Sequence, residues 1–168
     1  QAEDGIRDVE RSRGLGDVYK RQGQRCTKEK ALEFVSGLGV GIDFTRRDIQ
    51  RKLRDKNQPW ELSKAFEQSA PVGAFISPEK INSSILPLEL DISLSVNGKI
   101  KQHANTRDMI FTVSEIISDL SAFFTLLPGD LVFTGTPQGV GPVFPGDVLE
   151  ARIDELGKVA SININLLV

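Results

Sequence analysis

One short segment of the chain combines a carboxylate with basic and amide side chains. In GIDFTRRDIQ, residues 41–50, Asp43 follows an apolar run, and Arg47 and Gln50 lie one helical turn apart. A carboxylate at a strand end can bind a hard cation through oxygen, while Arg47 and Gln50 can together face a carboxylate-bearing ligand. Taken alone, however, Asp43 is more often a helix-entry residue and Arg47 a solvated surface charge. One carboxylate does not define a metal site.

Two further segments carry groups that could act on an oxyanion. Lys64 lies in PWELSKAF, residues 59–66, and its ammonium group could stabilise developing negative charge. In the loop TGTPQGVG, residues 134–141, glycines let backbone amides approach an anionic or carbonyl oxygen, and Thr136 adds a hydroxyl donor. The loop lacks the Gly-Lys-Ser/Thr ending of a nucleotide-binding loop, and the prolines after it exclude the required helix. A glycine-rich turn between strands explains the loop equally well.

The single histidine is the obvious candidate for a general base at neutral pH. His103 follows Gln102 in the second arm of a predicted hairpin, with no neighbour in sequence to orient it. We therefore interpret His103 as a solvated histidine at a strand end.

The elements that must position these groups are mostly strands. Alternating apolar and polar residues over 88–96 run into Asn97-Gly98, a strong hairpin signal. Apolar runs predict further strands at 35–42, 131–133, 148–153 and 159–166. Capping residues predict a short helix after Thr27, a polar helix over 46–56 after Thr45, and a helix after the capping box Thr112–Glu115. Regular βαβ alternation is absent, so we expect a mixed, mainly antiparallel β architecture with a few helices.

Composition limits the class of protein. The 168 residues carry a net charge of −2, with 39% hydrophobic and 26% charged residues, which is typical of one globular domain. No apolar run is long enough for a membrane span, and the scattered basic residues do not indicate nucleic-acid binding. Cys26 is the single cysteine and cannot form an internal disulfide. A cytoplasmic location is the default expectation.

The beginning of the chain differs in character from the remainder. The string DGIRDVERSRGLGDVYKRQ, residues 4–22, resembles the conceptual translation of sequencing-adaptor DNA fused to an open reading frame. We therefore predict a non-native or disordered leader over residues 1–22 and a domain over residues 23–168.

Five motifs occur in a specific order and spacing: GIDFTRRDIQ, QPWELSKAFEQSAPVGAFI, VNGKIKQ, DMIF and PGDLVFTGTPQGVGPVFPGD. Together they resemble the fumarylacetoacetate hydrolase family, in particular small members that hydrolyse acylpyruvates or decarboxylate oxaloacetate. The resemblance implies a β-sandwich roll and a Mg²⁺ or Mn²⁺ ion held by three carboxylates. Asp43 matches the third ligand. The upstream E-x-E pair and the His/Glu pair that activates water are absent, so we expect an N-terminally truncated, incomplete catalytic domain.

The resemblance also implies roles for the other candidate residues. Arg47 and Gln50 match positions that support or contact the substrate, and Lys64 matches the lysine that stabilises the enolate. Thr136 and Gly135 match the loop that holds the substrate carboxylate.

The implied activity is hydrolysis of a carbon–carbon bond in acylpyruvate-type 2,4-dioxo acids, such as fumarylpyruvate or acetylpyruvate, in aromatic catabolism. Oxaloacetate decarboxylation or isomerisation of a 2-hydroxy-diene-dioate is the alternative within the family, and a homodimer is the implied assembly. A hypothesis of another class is a catalytically silent fragment that lacks two of the three metal ligands.

Overall fold

The computed structural model describes residues 16–19, 25–77, 89–154 and 161–165. Within these ranges the chain forms seven strands, listed here in chain order: β1 Gly16–Tyr19, β2 Val35–Gly39, β3 Asp91–Val96, β4 Lys99–Asn105, β5 Leu131–Phe133, β6 Val148–Ile153 and β7 Ser161–Asn165. The α-helices of the same ranges are α1 Arg47–Asp55, α2 Glu61–Lys64 and α3 Val113–Phe123, and two 3-10 helices cover Ala31–Phe34 and Thr106–Asp108.

The strands form two antiparallel sheets. One sheet has the order β2-β1-β5 and the other the order β4-β3-β6-β7, and each described pairing is antiparallel. The predicted class, mainly antiparallel β with a few helices, is confirmed. No helix among the described residues is long and apolar enough to cross a membrane.

Local sequence signals account for several elements. The β3–β4 hairpin turns at Asn97 and Gly98, whose φ values of +51° and +74° suit a two-residue turn in which both central residues are left-handed. The capping box at the start of α3 is present, with Thr112 and Glu115 each accepting a hydrogen bond from the other's backbone N–H. Strand β6 alternates exposed and buried residues, as expected for a sheet with one face on the core.

The hydrophobic core lies where α3 and the sheets pack together. Its fully buried members include Leu38 of β2, Ile117 of α3 and Leu149 of β6. The connecting segments also contribute Leu90 and Leu126. The cluster joins the strands to α3, whereas α1 and α2 supply no residue to it.

Some sequence predictions are wrong in detail. The helix after Thr27 is only the 3-10 turn Ala31–Phe34, which has no side-chain cap. Helix α1 has Arg46 at its N-cap position and no side-chain cap; Thr45 lies one residue earlier, and its hydroxyl accepts a hydrogen bond from Lys64. Strand β2 ends at Gly39, and the chain beyond it bridges to the segment 72–76 through Gly41 and Val72.

Strand β1 lies inside the segment that the sequence predicts to be a leader. Its backbone pairs with both β2 and β5, so it is the central strand of its sheet. Residues 1–15 and 20–24 lie outside the described residues. The non-native origin of residues 1–22 stays a prediction.

Candidate functional site

A cavity of about 1050 Å³ is lined by β3, β4 and β6 of the four-stranded sheet, by α1 and α2, and by the segments that follow β2 and β5 of the three-stranded sheet. Five of the six site residues expected from the sequence line it: Asp43, Arg47, Lys64, Gly135 and Thr136. Gln50, the sixth, is not among the lining residues.

Backbone pairing carries Asp43 and Lys64 to the same place. The extended segment 42–46 is hydrogen-bonded to the chain around α2, through Ile42 N to Pro71 O at 3.0 Å and Phe44 N to Ser69 O at 2.8 Å. These bonds join residues that are 29 and 25 positions apart in sequence, and the last residue of α2 lies beside Asp43.

The ammonium group of Lys64 is bound by two neighbours. Its Nζ lies 2.7 Å from Asp43 Oδ2 and 2.7 Å from Thr45 Oγ1. The side chains of Lys64 and Asp43 are 25% and 13% exposed, so this ion pair is mostly shielded from water. A lysine has three N–H donors, and these two contacts leave the third for a ligand.

The other carboxylate oxygen of Asp43 lies in a different environment. Oδ1 is buried and has no hydrogen-bond partner among the described residues. A buried, unpaired carboxylate oxygen is costly and suits a ligand position for a cation.

Arg47 and Gln50 are paired with each other on α1. The guanidinium of Arg47 donates to Gln50 Oε1 at 2.9 Å. Arg47 lines the cavity and Gln50 does not, so Gln50 is connected to the cavity through its hydrogen bond with Arg47. The expected direct role of Gln50 is not supported by its position, whereas a supporting role is consistent with it.

The loop over residues 134–141 forms a second wall of the cavity. Gly135 and Gly139 have φ values of +131° and +101°, a conformation that other residues rarely adopt. The hydroxyl of Thr136 accepts a hydrogen bond from Gln102 Nε2 at 3.0 Å. Sequence reasoning missed Gln102, although it closes the motif VNGKIKQ, because nothing local to the hairpin indicates that its side chain contacts a loop 34 residues away.

The single histidine does not belong to this site. His103 is exposed and is absent from the cavity lining. The interpretation of His103 as a solvated residue of β4 is confirmed.

The described residues supply only part of a divalent-cation site. Asp43 fits one ligand position through its unpaired Oδ1. However, no group of three or more His, Cys, Asp or Glu side chains that could hold a metal occurs in the described ranges. The donor set therefore does not fit a complete site, and we derive no reaction step through a metal.

The chain matches one family model and several known proteins. Residues 12–162 match the family model described as fumarylacetoacetate (FAA) hydrolase C-terminal. A mitochondrial oxaloacetate tautomerase of Mus musculus is 41% identical over 140 residues, which cover 83% of this chain and 62% of the relative. An oxaloacetate tautomerase of Escherichia coli is 42% identical over 131 residues, which cover 78% of this chain and 59% of the relative.

A solved structure matches as well. The crystal structure of fumarylpyruvate hydrolase from Pseudomonas aeruginosa, in complex with Mn²⁺ and pyruvate, has a TM-score of 0.84 and 38% identity. The match covers 92% of this chain and 64% of that one. The chain thus spans about three fifths of the length of the curated relatives it matches. With this coverage by the family model, the chain belongs to the fumarylacetoacetate hydrolase family, in the region of its C-terminal domain.

Proposed function

We propose that this chain forms the oxo-acid-binding part of an enzyme that generates an enolate from a small 2-oxo acid. The observation that carries the proposal is the Lys64 ammonium group, which Asp43 and Thr45 hold at 2.7 Å each in a cavity that also contains Thr136. A cation that is fixed before the reaction stabilises charge developing on a substrate oxygen without further reorganisation.

Three of the lining residues have separate tasks in this proposal. Lys64 donates its third N–H to the 2-oxo oxygen, where negative charge accumulates as the enolate forms. Thr136 donates its hydroxyl to the substrate carboxylate. Arg47 adds positive charge at the cavity wall, which favours an anionic substrate.

We also propose that Asp43 is one ligand of a divalent cation, Mg²⁺ or Mn²⁺, although the described residues do not supply a full set of ligands. The similar hydrolase structure contains Mn²⁺ with pyruvate, which supports a divalent cation in this family. When bound, such an ion supplies Lewis acidity toward an oxo group.

Hydrolysis of an acylpyruvate is the first candidate reaction. Water adds to the 4-oxo carbon, and the bond between carbons 3 and 4 breaks, so that the acyl group leaves as a carboxylic acid. The electron pair of that bond becomes the pyruvate enolate, which Lys64 stabilises until carbon 3 takes up the proton that the water loses. We assign no base for the attacking water among the described residues. The match to fumarylpyruvate hydrolase supports this candidate.

Oxaloacetate chemistry is the second candidate. The two curated relatives at 41% and 42% identity are both named oxaloacetate tautomerases, and tautomerisation passes through an enolate of a 2-oxo acid. Decarboxylation of oxaloacetate and isomerisation of a 2-hydroxy-diene-dioate also form a negatively charged intermediate that Lys64 could stabilise. The homodimer, the cytoplasmic location and the aromatic-catabolic role stay predictions.

The test is a product analysis of the purified full chain with Mn²⁺. Acetylpyruvate, fumarylpyruvate and oxaloacetate are supplied separately, and pyruvate release and loss of the enol absorbance are followed. Pyruvate from an acylpyruvate supports the hydrolase, whereas enol–keto conversion of oxaloacetate alone supports the tautomerase. In either case Lys64→Met should lower the rate by about 10²–10³-fold, and Lys52→Met, on the exposed side of α1, should not. No turnover of any substrate would favour the silent fragment.

A further inference from the structure

The side chain of Gln102 joins the loop over residues 134–141 to β4. Gln102 Nε2 donates to the Thr136 hydroxyl at 3.0 Å and to the Pro137 carbonyl at 2.8 Å. The loop follows β5 of the three-stranded sheet, whereas β4 is an edge strand of the four-stranded sheet. The two hydrogen bonds therefore hold the loop that follows β5 against β4, an edge strand of the other sheet, at the cavity wall.

These contacts show that the Thr136 hydroxyl does not donate to Gln102. The Pro137 carbonyl can only accept, so the NH₂ group of Gln102, and not its carbonyl, must face the loop. The oxygen of Thr136 accepts the second N–H of that group. Its own O–H is consequently directed to another acceptor, and Thr136 lines the cavity. The hydroxyl is thus available as a donor to an anionic ligand oxygen.

A close backbone approach supports the same junction independently. A Cβ atom built on Gly139 would lie 2.0 Å from the carbonyl oxygen of Lys101, the residue before Gln102. Only glycine permits this approach, and it places the far end of the loop directly on β4.

We propose that Gln102 is a positioning residue for the oxo-acid site. Its amide ties the loop to β4 and makes Thr136 a hydrogen-bond donor to the substrate carboxylate, so that Gln102 acts on the substrate through Thr136. The identity of the ligand rests on the proposed function, whereas the anchoring of the loop does not.

The first arm of the test needs no ligand. Hydrogen–deuterium exchange is measured for the amides of residues 134–141 in the unchanged chain and in Gln102→Met, which keeps the size of the side chain but removes both donors. Gln102→Ala serves as a second variant if Gln102→Met does not fold. We expect exchange in the loop to become faster by about tenfold or more. His103→Ala, an exposed neighbour on β4 outside the cavity, is the matched control. Equal exchange in Gln102→Met and His103→Ala would overturn the proposal.

The second arm uses pyruvate as the probe, with Mn²⁺ present throughout. Gln102→Met should weaken pyruvate binding by about three- to tenfold, the effect of losing one hydrogen bond. In a Thr136→Val background the same change should have no further effect, because Gln102 acts through the missing hydroxyl. Effects that multiply in the double variant would contradict the positioning role. Accelerated loop exchange without pyruvate binding by the unchanged chain would support the anchor and contradict the proposed function.

Discussion

The ion pair between Asp43 and Lys64 sets the expected cost of replacing Lys64 by methionine. Removing one partner of a fully buried pair costs about 3–5 kcal/mol, whereas an exposed pair contributes about 0–1 kcal/mol. The two side chains are 13% and 25% exposed, which places the pair nearer the buried limit. Asp43 Oδ1 already has no hydrogen-bond partner among the described residues, and Lys64→Met also removes the ammonium group from Oδ2.

We therefore expect Lys64→Met to lower the free energy of unfolding by about 2–3 kcal/mol. For a chain of this length the loss corresponds to a decrease in Tm of roughly 5–10 °C, measured by differential scanning calorimetry. Lys52→Met, an exposed lysine of α1, should change stability by less than about 0.5 kcal/mol.

A double-mutant cycle separates the ion pair from other effects of the substitution. Combining Asp43→Asn with Lys64→Met removes both charges, so the double variant should be more stable than the sum of the single changes implies, by about 1–3 kcal/mol. Additive losses, or equal Tm values for Lys64→Met and Lys52→Met, would refute the reasoning.

Three further predictions concern the loop, the core and the helix cap. Gly139→Ala must displace the loop from β4, because its Cβ would lie 2.0 Å from a carbonyl oxygen and its φ is +101°. We expect the free energy of unfolding, measured with urea, to fall by about 1–3 kcal/mol. An unchanged free energy of unfolding would contradict that geometry. Ile117→Ala opens a cavity at a residue with 0% exposure and should lower the free energy of unfolding by about 2–5 kcal/mol. Phe123→Ala, at a residue with 75% exposure, should leave that free energy nearly unchanged. Equal losses in the two variants would argue against the core assignment. The side chain of Lys28 and the backbone N–H of Thr112 lower the pKa of Glu115 from 4.5 to about 2. Its stabilising contribution is therefore present above pH 4.5 and lost as the pH falls toward 2, so Glu115→Gln should flatten the pH dependence of Tm in that window. An unchanged slope there would exclude this role.

Elements with local signals could be predicted from the sequence. The turn at Asn97-Gly98 and the Thr112–Glu115 capping box depend on residues within four positions of each other, and both are present. Thr45 has the residue type of a helix cap, yet its hydroxyl is bound by Lys64, 19 residues further along the chain. Tertiary contact thus overrode the local preference.

For the site, too, the residues could be predicted from the sequence but their contacts could not. Motif resemblance identified Asp43, Lys64 and Thr136, and the structure places all three on one cavity. Their mutual contacts could not be predicted, because the Asp43–Lys64 pair depends on backbone pairing between separate segments. The role of Gln102 required knowing that the two sheets meet at the loop.

Calorimetric titration of pyruvate into the full chain with Mn²⁺ tests the central claim most directly. The proposal predicts saturable binding that weakens by about tenfold or more in Lys64→Met and remains unchanged in Lys52→Met, since Lys64 donates to the oxo oxygen in this proposal and the exposed Lys52 does not. Binding of equal strength in all three proteins, or no binding in the unchanged chain, would contradict an oxo-acid site built on Lys64.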